Sequence, residues 1–135
     1  MPTGLYVKGK ENLGKKNIDL IGDTIVAILV DTSLYTIDLD NDEFQSDIPP
    51  NAVVYERTLT AKTFVDGVFD ADDVLYPSLV SDLLIGAVIL VQDTGVYSTS
   101  KLLFAVDNSS SFPIQPDGTD FTVSWDDGSN KIFKL

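Results

Sequence analysis

Leu83-Leu-Ile-Gly-Ala-Val-Ile-Leu-Val91 is the most hydrophobic run of the chain. Its nine residues lie between Asp82 and the pair Gln92-Asp93. That is short for a buried helix, and Gly86 would weaken one, so a buried strand fits better. Leu102 to Val106 follows after the polar turn Thr94 to Ser100 and supplies an antiparallel partner. Upstream, Thr24-Ile-Val-Ala-Ile-Leu-Val30 is a β-branched and aliphatic run bounded by Asp23 and Asp31. That composition suits a strand covered on both faces and central in its sheet.

Weaker strands surround these. Leu59, Ala61, Thr63 and Val65 alternate with Thr60, Lys62 and Phe64, and Asp66-Gly67 leads straight into Val68-Phe69. Asp-Gly between two such runs predicts a two-residue hairpin, because both central positions of a type I′ turn need positive φ. Val74 to Tyr76 is strand-like until Pro77, which cannot donate to a ladder. Phe121, Val123 and Trp125 face one way and Thr122 and Ser124 the other. Ile132 to Leu135 closes the chain after a turn containing Asp127-Gly128, and Asn108 to Gly118 is a serine- and proline-rich loop. Short strands separated by turns predict an all-β fold, a single-domain antiparallel sandwich or barrel.

Two stretches stand outside this pattern. Residues 1–16 read as a basic N-terminal arm or one short helix, with Gly9 and Gly14 weakening the helix, and residues 17–135 as a single β domain. Asp31 to Asn51, acidic and without a sustained period, reads as the longest loop, solvated at Asp38 to Asp47.

Composition narrows the chemistry. The 135 residues suffice for one core, and 44% apolar with 22% charged residues is the balance of a folded domain. No run is long enough to cross a membrane as a helix, and Lys8, Lys10 and Glu11 interrupt any apolar signal after Leu5 to Val7. The chain has no cysteine and no histidine. Disulfides, thiolate metal sites and the usual acid-base side chain are therefore excluded. A net charge of −12 disfavours nucleic acid as a partner. The charge is uneven: Lys8, Lys10, Lys15 and Lys16 are four of the nine cations.

Four segments also carry a resemblance. They are Asn17 to Val30, Val68-Phe-Asp-Ala-Asp-Asp-Val74, Gly86 to Gly95 and Asp120-Phe-Thr-Val-Ser-Trp-Asp126. Their order over nearly the whole length resembles a family of small structural proteins of tailed bacteriophages. The chain departs from that family in its more polar opening and in lacking a glycine-rich stretch before Val53. The resemblance implies a non-enzymatic virion protein without cofactors. Its leading form is a decoration or cement protein on the outer surface of the head, bound to the major capsid protein and self-associated as a homotrimer. The alternative is a tail or tail-fibre-associated protein. In the first case Lys8, Lys10, Lys15 and Lys16 are the candidate capsid contacts, suited to an acidic surface.

Other constellations are weaker. Asp38, Asp40 and Asp42 begin a calcium-loop spacing, but Glu43 and Pro49 stand where glycine and glutamate belong. Asp70 and Asp72 share a strand face, as a glycosidase pair would, whereas Asp73 does not. The serines, including Ser109 to Ser111, lack a histidine partner. Gly9 to Lys15 approaches a phosphate loop, but Lys16 replaces the required hydroxyl residue. Phe69, Tyr76, Phe104, Phe121, Trp125 and Phe133 read as core, Trp125 foremost.

Overall fold

A computed structural model describes residues 3–107, 112–126, 128–129 and 131–135. It is an all-β, antiparallel domain with one short N-terminal helix. The strands are β1 (Gly4–Leu5), β2 (Ile25–Val30), β3 (Val53–Thr58), β4 (Thr63–Val65), β5 (Val68–Asp70), β6 (Val74–Tyr76), β7 (Ala87–Gln92), β8 (Lys101–Val106), β9 (Phe121–Val123) and β10 (Phe133–Lys134), with α1 at Val7–Gly14. A five-stranded sheet runs β1-β8-β7-β2-β3, beside a three-stranded sheet β10-β5-β4 and the pair β6-β9.

The two apolar runs lie side by side. β2 and β7 pair from Ile25 opposite Gln92 to Val30 opposite Ala87, and every residue of both is buried. Because side chains alternate, each strand feeds two cores. Ile25, Ala27 and Leu29 meet Val88, Leu90, Phe69, Tyr76 and Phe133. Val26, Ile28 and Val30 meet Ala87, Ile89, Val91, Tyr6, Tyr35 and Ile48. The two small sheets close the first core. There the Phe69 and Phe133 rings lie 5.2 Å apart, and the Tyr76 hydroxyl donates to the Ala27 carbonyl at 2.8 Å. β8 bulges between Leu102 and Phe104, which lie opposite Val91 and Leu90, so the extra residue Leu103 joins Phe104 on the first face.

Several sequence expectations change at their edges. The 83–91 run enters its ladder only at Ala87, because the Leu83 and Leu84 amides are taken by Ser81 Oγ and Asp31 Oδ2, both at 3.0 Å. The alternation predicted from Leu59 is broken: β3 stops at Thr58, and Ala61, at φ 54°, bends the chain before β4. The hairpin forms as predicted, with Asp66 and Gly67 at φ 54° and 79°. Ser109 to Ser111, the start of the 108–118 loop and Asp127 of the closing turn lie outside the described residues. Among the described residues no helix is long and apolar enough to cross a membrane.

Of the two readings of the N-terminal segment, arm or short helix, the helix is found, as α1, and it is packed on the second face. β1 pairs with β8, Tyr6 is fully buried, and α1 lies on β8. In the loop 31–51, Tyr35, Ile37 and Ile48 are buried in the second core on either side of the stretch 38–47, and Gln45 within that stretch is buried rather than solvated.

Candidate interaction surfaces

α1 sits where it does because of a glycine. A Cβ on Gly9 would lie 2.8 Å from the Leu102 carbonyl oxygen and 3.0 Å from that of Leu103. Only a residue without one lets the helix rest on the bulged strand. Asn12, buried, fastens the other side. Its carbonyl accepts from Asn17 N at 2.8 Å, its Oδ1 accepts from Asn17 Nδ2 at 3.1 Å, and its amide reaches Glu43 Oε2 at 3.4 Å.

The four candidate lysines, two in α1 and two directly after it, separate. Lys8 and Lys15 converge on Glu11, with Nζ to carboxylate distances of 3.5 and 2.6 Å. The hydrogen bond from Lys15, followed by its charge and that of Lys8, holds the Glu11 carboxyl below the usual range, and Lys15 is raised by the same bond. Lys10, two residues from Lys8, is exposed on another side of the helix. Lys16 lies just beyond α1 with φ 64°. It borders a groove of about 470 Å³ lined by Leu13, Ile18, Leu20, Ile21, Phe64 and Leu135. Sequence reasoning missed this groove because its walls come from three separate parts of the chain, 13–21, Phe64 and Leu135.

The acidic loop lies against the helix. Val7 N donates to the Leu39 carbonyl at 2.8 Å, and Leu102 N to that of Glu43 at 2.8 Å. The Tyr6 and Tyr35 hydroxyls are 2.8 Å apart, and Tyr35 donates to Asp42 Oδ2 at 2.7 Å. Burial pushes both phenols up. Desolvation also raises the Asp42 carboxyl, which Tyr35 partly offsets. Asp38 is held low, first by the Asn41 amide at 2.9 Å. The Asp38, Asp40 and Asp42 series thus diverges: Asp38 caps its own turn and Asp42 serves Tyr35. Among the described residues no group of three acidic side chains could hold a metal ion.

Asp70, Asp72 and Asp73 also go separate ways. Asp70 lies opposite Thr63 in a ladder. Asp73 Oδ1 accepts from Trp125 N, and the Asp72 carbonyl accepts from Trp125 Nε1, both at 3.0 Å. The Asp-rich block therefore seats Trp125. Trp125 itself is half-buried rather than the centre of the core, because its ring edges a cleft of about 600 Å³ shared with Phe104, Phe112, Phe121 and Val123. Phe69, Tyr76, Phe104 and Phe133 are buried, and Phe121 is half-buried.

The four family-like segments turn out to be paired. The first and third contain β2 and β7. The second and fourth meet at Val74 opposite Val123 and through the Trp125 contacts. Set against protein-family models and curated proteins, the chain matches none.

Proposed function

We propose that the protein is a non-enzymatic structural component of a tailed-phage virion, a decoration or cement protein on the outside of the head. Its partner is the major capsid protein, and self-association as a homotrimer belongs to the same reading. The observation that carries it is the concentration of four of nine cations between Lys8 and Lys16, two within α1 and two directly after it, on a helix packed on the sheet in a chain of net charge −12. Cations clustered in one short segment of an acidic protein are suited to an acidic shell, with binding that weakens as salt rises. The resemblance of the four segments supplies the virion context. Bridging neighbouring shell subunits in this way needs no reacting group, metal or cofactor.

Glu11 already engages Lys8 and Lys15, so Lys10 and Lys16 carry more of the docking. Changing Lys10 and Lys16 together to alanine lowers retention on heads more than changing Lys8 and Lys15. Equal retention of both variants with the wild type removes the docking role. Antibody labelling of intact virions tests the location. Dense label on heads supports the reading, label confined to tails replaces it with the tail or tail-fibre alternative, and no label on either overturns both.

A further inference from the structure

The five-stranded sheet ends in two different edges. At one, β1 pairs with β8, and α1 lies on β8. At the other, β3 has β2 as its one ladder partner among the described residues, and Tyr55, Glu56, Arg57 and Thr58 are all exposed. β7 and β2 separate β8 from β3, which sets them about 14 Å apart. Neighbouring residues of a strand point to opposite faces. Tyr55 and Arg57 lie opposite Leu29 and Ala27 and share the first face, whereas Glu56, opposite Ile28, points to the second. Arg57 is the only arginine of the chain. In a chain with 21 acids it takes part in no ion pair or side-chain hydrogen bond with the described residues. Tyr55, 50% exposed, is braced edge-to-face on buried Tyr76 with ring centroids 6.3 Å apart, and the Tyr76 hydroxyl is tied to the Ala27 carbonyl.

Tyrosine and arginine are the side chains that carry much of the binding energy at protein interfaces. A ring already held in place loses less freedom on binding, and a planar guanidinium takes a carboxylate through two parallel hydrogen bonds. An arginine without a carboxylate of its own, beside a braced tyrosine, therefore fits an acidic protein surface. The lysine cluster suits the same chemistry, but α1 lies on the second face at β8 and Arg57 points from the first face at β3. One flat surface cannot meet both. We propose that the Tyr55 and Arg57 face of β3 is a second contact for an acidic protein surface, so that the α1 segment engages one shell subunit and β3 its neighbour. This rests on the proposed function, in which a bridging protein needs two contacts, and it supplies the second.

Heads assembled without the protein and then supplied with purified wild type or variant test it through two readings, the copies bound and the temperature at which heads rupture. The wild type binds and raises the rupture temperature. Arg57→Glu binds about tenfold more weakly or worse. At concentrations that restore full occupancy it still gives no protection, because the α1 segment alone holds it. Arg57→Gln, which keeps most of the side chain's length, loses protection likewise, and both variants keep the wild-type midpoint in urea denaturation. Protection by Arg57→Glu at full occupancy overturns this inference and leaves the head location standing, as does a wild type that binds without protecting. A wild type that does not bind heads overturns both this inference and the proposed function.

Discussion

Val26, Ile28 and Val30 are buried, as are Ile25, Ala27 and Leu29 on the opposite face of β2, yet the two sets are covered differently. The first face is closed by strands, with Phe69, Tyr76 and Phe133 interlocked over it. The second is closed by a helix of eight residues and by a segment without a strand, held through Gly9, Asn12, Asp31 and the tyrosine pair. One cover rests on apolar area and ladder hydrogen bonds. The other adds to its buried apolar residues a few polar fastenings and one close backbone approach, so single substitutions at those fastenings should loosen it locally while the first face holds.

Phe69→Ala is expected to have the largest effect. It empties a fully buried site beside Phe133 and should cost about 3–5 kcal/mol in urea denaturation. Asp31→Ala comes next. It leaves the Ser33 and Leu84 amides without their carboxylate and should cost about 1.5–3 kcal/mol. The Ser33 hydroxyl, at 2.6 Å, is the chief cause that holds the Asp31 carboxyl below its usual range. Its contribution is therefore present above the ordinary aspartate range and is lost as pH falls through the lowered value. Asp31→Asn should flatten that acid limb of the stability curve.

Gly9→Ala gives the sharper test of the second cover. Alanine favours a helix over glycine by about 1 kcal/mol, but its methyl would meet the Leu102 and Leu103 carbonyls. A net loss of about 1–2 kcal/mol is expected. A gain in melting temperature would show that the helix is not held as described.

Tyr35→Phe should cost about 1 kcal/mol and act locally. Amide exchange should quicken in residues 38–47 and stay unchanged in β5 and β10. The change also removes the bond that offsets the desolvation of Asp42, whose carboxyl should rise further. A raised carboxyl has the opposite sign to that of Asp31. Its ionisation opposes folding, so the Asp42 contribution improves as pH falls from its folded value towards the ordinary one. Lys15→Ala is expected to leave the denaturation midpoint unchanged, because its pairing with Glu11 is open to water. A clear drop would mean that α1 depends on that pair.

The parts legible in the sequence are those whose information is local. Thr24 to Val30 and Leu83 to Val91 announce buried strands by composition alone, and Asp66-Gly67 announces its hairpin through the φ values that it must adopt. The candidate lysines were found by their clustering, but the pairing of two with Glu11 was not anticipated. Gly9 looked like a flaw in a helix until the Leu102 and Leu103 carbonyls were seen beneath it. The acidic loop looked solvated because its charged positions dominate its composition, while the residues that cover the sheet, Tyr35, Ile37 and Ile48, lie at its ends.

By itself the sequence determined an all-β chain with two doubly buried central strands and without thiol or imidazole chemistry. These follow from residue type, alternation and turn stereochemistry, which act over a few neighbouring residues. Only the tertiary structure decided that the polar N-terminal segment and the acidic loop would serve as one cover. It alone brought groove walls together from Leu13, Ile21, Phe64 and Leu135. Both outcomes depend on which distant segments meet, and on apolar area left over after the strands have paired, which no local pattern encodes.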